Sequence, residues 1–258
     1  MADQPTFLLS SGCLFHLPLS ECARIARDAG FDGLELILNH PELLDVQQTM
    51  TQTRGMPILS LHAPFRQWSL WGGHLRAWEK SVILGNKLPE LQNITLHPPA
   101  FKLSQLAHFW WYAKTRNLPE DLKANVGLSL ENLPTVADNP FGRDPFKGHI
   151  EQCINKNVNL TLDVCHLGIS NKDILQALDE FPLDILVNVH FSDARGLQEH
   201  LWPGDGELPL DNFLRLLREK KYGNLLTLEV GPATLPQKRE EIVSKLKKFL
   251  DWVKNLFV

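Results

Sequence analysis

Eight times along this chain a short apolar run gives way to a polar or Gly/Pro break and then to a longer stretch with helical spacing, a repeat that few folds can accommodate. The runs are Phe7–Phe15, Gly33–Leu38, Pro57–His62, Asn93–His97, Val126–Glu131, Val158–Cys165, Ile185–Phe191 and Leu225–Val230. Leu19–Ala29 reads as a helix introduced by Pro18 and stopped by Gly30. Leu75–Leu84, Leu103–Ala113, Asp173–Leu178, Leu210–Leu217 and Glu240–Leu256 carry apolar residues at i, i+3 and i+4. Pro119 breaks the fourth helical region, and Gly223 closes the seventh. A strand buried on both faces needs a crossover helix to cover it, so eight such units predict a single closed (β/α)8 barrel over residues 1–258. A doubly wound open sheet competes, but no GxGxxG turn follows an early strand.

Length and composition agree with one barrel. The chain has 258 residues, 43% of them hydrophobic and 22% charged, and no Ser/Gly linker or like-charge run divides it. A net charge of −4 gives no general pull toward nucleic acid or an acidic membrane. None of Cys13, Cys22, Cys153 and Cys165 forms a CxxC pair, so reduced thiols and a cytoplasmic location are expected. No apolar run approaches bilayer length. Cys165 reads as a buried thiol rather than a nucleophile.

Ionisable residues stand at or just past the ends of these runs: His62 in SLHAP, His97 in TLHPP, Glu131 in LSLENLP, Asp163 and His166 in LTLDVCH, His190 in VNVHFSD and Glu229 in LTLEV. In a barrel all strand C-termini meet on one face, so residues distant in sequence would converge there. A carboxylate ending an apolar strand is costly unless paired or metal-bound. Each residue also has a plainer reading. Glu131 or Glu229 alone fits a salt bridge, Asp163 with His166 fits a helix cap, and His62 or His97 fits a core-edge imidazole on a carbonyl. Their joint placement favours a metal. Two Glu, one Asp and one His suit Mn²⁺, Mg²⁺, Co²⁺ or Zn²⁺ without choosing among them. After the seventh run, DARGLQEHLWPGDGELPLDNF places Arg195 and His200 ahead of a turn-rich PGDGE. A surface loop is the plain reading; substrate contacts from Arg195 and His200 are the functional one.

The ordered segments GFDGLEL, SLHAPF, TLHPP, LSLENLP, LTLDVCHLG, VHFSDARG, HLWPGDGELP and LLTLEV resemble the xylose isomerase-like barrel superfamily over roughly residues 30 to 231. That group includes ketose epimerases, hydroxypyruvate isomerases, inosose dehydratases and the endonuclease IV type of abasic-site nuclease. Resemblance to the epimerase branch implies one divalent ion on Glu131, Asp163, His190 and Glu229. Glu131 and Glu229 would be the proton-transferring bases, and His166 and Arg195 would touch the oxygens of a small sugar-like substrate. His62, His97 and His200 would line the same site.

Resemblance to the nuclease branch implies up to three Zn²⁺, with His97 and a further imidazole from His62 or His74 joining Glu131, and His166 with His200 holding the third ion. Gln198 departs from that pattern where an Asp is expected, and neither half is enriched in Lys/Arg as a DNA groove should be. A dehydratase or lyase on the same metal, and a non-enzymatic binding module indifferent to chelation, complete the alternatives. Trp68 or Trp71 could meet a sugar ring, whereas Trp78, Trp110 and Trp111 sit in helical patterns and are expected to pack on the barrel. Gly231-Pro232 leaves no clear phosphate cradle, which favours a non-phosphorylated substrate. The apolar LFV end of the last helix would allow a homodimer, although packing on the barrel explains it equally well.

Overall fold

The computed structural model describes residues 4–135, 145–180 and 182–257, so Val258 of the LFV end lies outside them. Eight parallel strands close into a barrel, as the repeat predicts. They are β1 (Thr6–Ser10), β2 (Gly33–Ile37), β3 (Ile58–His62), β4 (Asn93–Leu96), β5 (Gly127–Glu131), β6 (Asn159–Asp163), β7 (Leu186–Phe191) and, after a hairpin, β10 (Leu225–Leu228). The hairpin is antiparallel, β8 (Asp193–Arg195) with β9 (Gln198–Leu201), and stands off the barrel after β7.

Each barrel strand shows one face to the interior and one to the surrounding helices. The outward leucines and valines are almost fully buried under the helices: Leu128 and Leu130 on β5, Leu160 and Leu162 on β6, Leu226 and Leu228 on β10. They pack in one continuous core with Trp78, Val82, Phe213, Leu214, Leu246 and Phe249. Facing inward, a small group of Leu8, Leu59 and Leu225 forms its own cluster. A Cβ on Gly33 would come within 2.8 Å of the Leu59 side chain, so any larger residue there would force Leu59 to shift.

Elsewhere the interior is polar. Ser129 and Thr161 hydroxyls are 2.7 Å apart, Thr95 and Thr161 are 3.0 Å apart, Asn93 Nδ2 donates to Ser129 (2.9 Å), and Thr227 donates to Asn188 (2.9 Å). Most buried polar groups are partnered in this way.

Several expected boundaries shift for local reasons. The first run ends early as a strand, because Ser10 caps a 3-10 turn over Ser11–Leu14. The sixth stops at Asp163, whose carboxylate caps the helix Val164–Ile169 through the His166 N–H at 2.8 Å. A turn of helix at Pro41–Leu44, a helix at Val46–Gln52 and a four-residue helix at Trp68–Trp71 lack the long apolar periodicity that marks the others.

The PGDGE loop is ordered by a single buried carboxylate. Asp193 accepts from the backbone N–H groups of Ala194, Gly204, Gly206 and Leu208 at 2.8–3.1 Å. A Cβ on Gly206 would sit 2.2 Å from Asp193 Oδ1 and 2.5 Å from the Ala194 carbonyl. Gly206→Ala is therefore expected to cost about 1–3 kcal/mol, read as a lower urea midpoint with an unchanged slope.

Candidate metal centre

Register brings the polar strand ends together. Asp163 lies beside His190, His190 beside Thr227, and Glu131 beside Thr161, so Glu131, Asp163, His190 and Glu229 fall on the inward parity. Glu229 follows β10 by one residue, and its N–H is tied to the Phe191 carbonyl at 3.2 Å. The four residues come from β5, β6, β7 and β10, which are consecutive around the barrel, with Glu131 and Glu229 at the two ends of the arc. One donor atom from each lies within 4.8 Å of the others.

Asp163 Oδ2, His190 Nδ1 and Glu229 Oε2 are buried without hydrogen-bond partners. His190 Nδ1 is 2.7 Å from Glu229 Oε2, close enough for an ion pair but outside hydrogen-bond alignment. Native interiors rarely leave such atoms bare. Three of them converging from three strands, all oxygen or imidazole nitrogen, match the donor set of a divalent ion. The helix-cap reading of Asp163 is also correct: Oδ1 caps, while Oδ2 faces the cluster.

Electrostatics supports the same grouping. Burial alone would raise the Glu131 carboxyl, but the imidazoles of His97, His190 and His166 hold it well below the usual carboxylate range. Burial is likewise outweighed at Glu229, which His190 holds down to about 2. Against its own burial, His166 is raised to about 10, by Asp163 first and then Glu131.

His62 Nε2 and His97 Nε2 lie 3.0 and 3.1 Å from Glu131 Oε2, and His62 Nδ1 is 2.8 Å from the Ala63 carbonyl. His166 Nδ1 is 2.9 Å from the Asn132 carbonyl and 3.3 Å from Glu131 Oε1. His200 reaches the same neighbourhood from β9 in a left-handed conformation (φ 52°). Its Nδ1 is 3.1 Å from the Glu229 carbonyl, and its ring meets His166 edge-on at 5.3 Å. The plain reading of the loop as surface therefore fails for His200.

Arg195 is placed elsewhere: it is exposed, with its guanidinium on the Asp205 carbonyl and the Glu207 carboxylate. Cys165 is fully buried beside His200 Nδ1 (3.7 Å), and burial pushes its thiol well up, as expected of a structural cysteine.

Three contributors escaped sequence reasoning. Glu35 on β2 is completely buried and contacts His190. Asn132 locks β5 to β6, donating to the Asp163 carbonyl (2.9 Å) and accepting from the Asp163 N–H (2.8 Å). Phe65, not a tryptophan, forms the aromatic wall, 5.4 Å from both His62 and His97. The signal for Glu35 was a charge inside the apolar run GLEL, and for Asn132 it was an amide next to a strand-end carboxylate.

Trp68, Trp78 and His74 occupy a separate cluster. Trp71 is buried, and Trp68 stacks on His74 at 3.9 Å, which in turn meets His108 at 4.3 Å and Trp78 at 5.6 Å. His62 and not His74 is thus the imidazole beside Glu131. Trp78 and Trp111 pack on the core as expected, but Trp110 is 57% exposed because its face of the helix Leu106–Lys114 points outward.

Burial lowers His74 to about 4 and His108 to about 3, so both stay neutral at pH 7. Their unfolded value is ~6.5, so the unfolded chain takes up protons first on acidification. Their contribution is intact above ~6.5 and is lost as pH falls through the folded values. Thermal midpoints of metal-free protein should fall between pH 6.5 and 4, and more gently in a His74→Phe/His108→Phe variant; equal slopes would contradict this assignment.

The chain belongs to the xylose isomerase-like TIM barrel family, whose profile matches residues 23–252. Among solved structures it is similar to a 3-keto-D-glucoside 4-epimerase from E. coli at 16% identity and TM-score 0.67, covering 98% of this chain and 100% of that one. It is similar also to a D-allulose 3-epimerase from Methylomonas sp. solved with D-allulose, at 14% identity and TM-score 0.68, covering 97% of each chain. An IOLI protein with a bound zinc atom matches at 17% identity and TM-score 0.68, over 98% of this chain and 99% of that one. No curated protein matches the chain in sequence. Among the described residues, no helix is long and apolar enough to cross a membrane.

Proposed function

We propose that this chain is a divalent-metal-dependent isomerase or epimerase of a sugar or a related polyhydroxy carbonyl compound. The observation that carries the reading is the arc of Glu131, Asp163, His190 and Glu229, with three buried, unpartnered donor atoms aimed at a common centre. Glu131, Asp163, His190 and Glu229 would hold the ion, which would supply Lewis acidity toward a carbonyl and its neighbouring hydroxyl and so acidify the C–H of the hydroxyl-bearing carbon.

Glu131 and Glu229 flank the centre from the two ends of the arc, the placement needed to remove a proton on one side and return it on the other. His166, a cation held by Asp163 and Glu131, would donate to a substrate oxygen. Phe65 supplies an apolar wall on the His62 and His97 side. Exchange of a ketose C–H with deuterated solvent, with and without chelator, tests this reading; no metal-dependent exchange across a panel of ketoses and ketose-like compounds would oppose it.

A second reading has an observation of its own. His62 and His97 both aim Nε2 at one oxygen of Glu131, and Asp163, Cys165, His166 and His200 form a further donor group. These would accommodate more than one ion, as in an endonuclease IV-type zinc enzyme. Against it, Gln198 stands exposed where that branch places an Asp. Several tightly held zincs, together with cleavage of abasic DNA, would establish it.

A further inference from the structure

We infer that Glu35 is the positioning residue of the metal centre, holding the His190 ring so that Nδ1 and not Nε2 is presented to Glu131, Asp163 and Glu229. The inference rests on the reading of those residues as metal ligands. Glu35 reaches through the barrel interior from β2 to β7, and His190 Nε2 lies 3.1 Å from each of its oxygens. Both side chains are wholly buried. A buried carboxylate oxygen is costly unless satisfied. Glu35 Oε2 accepts from Ser60 Oγ at 2.8 Å and Asn188 Nδ2 at 2.9 Å, whereas Oε1 has the His190 ring within ion-pair distance but no aligned hydrogen bond.

The orientation of Asn188 is set independently, since its Oδ1 accepts from Thr227 at 2.9 Å. Its amide nitrogen is thereby turned toward Glu35. Two donors, Ser60 Oγ from β3 and Asn188 Nδ2 from β7, converge on Glu35 Oε2 and keep that oxygen in the role of acceptor. Nε2 faces that same accepting oxygen at 3.1 Å, so Nε2 carries the hydrogen between them. That leaves the Nδ1 lone pair for an ion, and Nδ1 is the His190 atom that lies 2.7, 3.6 and 3.9 Å from Glu229, Glu131 and Asp163. Carboxylate partners of ligating histidines fix the tautomer and ring orientation in metal sites generally.

The test is metal affinity, by competition with a chromophoric chelator, for wild type, Glu35→Gln and Glu35→Leu, with circular dichroism confirming the fold of each metal-free protein. Glutamine keeps an acceptor for Nε2–H, whereas leucine removes it. Glu35→Leu is expected to weaken binding about 10–100-fold, with Glu35→Gln restoring most of the loss. Folded Glu35→Leu binding within about twofold of wild type would overturn the inference, as affinity would then be indifferent to the acceptor.

Should Glu35→Leu fail to fold, long-range ¹H–¹⁵N spectra of the zinc-loaded wild type decide. A His190 proton on Nε2 supports the inference, and a proton on Nδ1 with the ion on Nε2 overturns it. Wild type that binds metal yet exchanges no ketose proton contradicts the enzymatic proposal alone. Equal affinities of wild type and Glu35→Leu contradict the role of Glu35 alone.

Discussion

Glu229→Gln is expected to slow metal-dependent proton exchange by about 10²–10⁴-fold, the usual contribution of a positioned general base. The substitution keeps size and shape and removes the basic carboxylate that takes the proton. Glu229 is the cleaner of the two carboxylates to change, because its carboxylate makes one close ion pair, with His190, and is 14% exposed. Glu131 has imidazoles from His62, His97, His166 and His190 around it. Glu131→Gln should therefore lose activity at least as severely and also lose stability, by up to about 3–5 kcal/mol, since it removes the main counter-charge of His62 and one that His166 and His190 share with Asp163, Glu35 and Glu229. Paired kcat measurements and urea midpoints separate the two effects. Full turnover in both variants on a substrate the wild type uses would remove these residues from the chemistry.

Metal binding is expected to raise the thermal midpoint by several degrees, and the effect should grow with pH. At an ion concentration 100 times Kd the folded state gains about 2.7 kcal/mol, and each kcal/mol shifts a chain of this size by about 2–4 °C. The sign of the pH effect follows from His190. Burial works to lower it, but Glu35, Glu229 and Glu131 together hold it well above its ordinary value, so the metal-free ring is protonated at neutral pH. An ion at Nδ1 must displace that proton. Affinity therefore rises with pH up to the raised His190 value, and binding releases protons, which calorimetry in buffers of different ionisation enthalpy detects.

The metal-free protein behaves oppositely over part of this range. His166 is raised to about 10, so its contribution is complete below the unfolded ~6.5 and is lost as pH climbs through the folded value. Scanning calorimetry with chelator and with added ion should thus diverge increasingly above pH 7. Parallel curves would contradict the placement of the ion on His190.

The barrel was legible because its strands repeat one chemical alternation. LSLE, LTLD, VNVH and LTLE each send an apolar side chain out to the helices and a polar one inward, ending on an ionisable residue. That same pattern exposed Glu131, Asp163, His190 and Glu229, because a charge at the end of an apolar run has few inexpensive homes. Glu35 was hidden by its place in the middle of a run rather than at its end. Its partners Ser60, Asn188 and His190 lie 25, 153 and 155 residues away, and only barrel closure reveals them.

Arg195 shows the converse limit. Its position in the chain suggested the substrate pocket, yet the hairpin turns it to Asp205 and Glu207 at the surface. That geometry depends on Asp193 gathering four backbone N–H groups, a long-range device that spacing alone does not disclose. Boundary shifts such as the early end of β1 come from single caps, here Ser10.

Elemental analysis of the purified protein after reconstitution and dialysis tests the central claim most directly. One divalent ion per chain, lost when Asp163 and His190 are replaced by alanine in a protein that still folds, is the result this account predicts. A chain that retains no ion after reconstitution, with its fold intact, would contradict it.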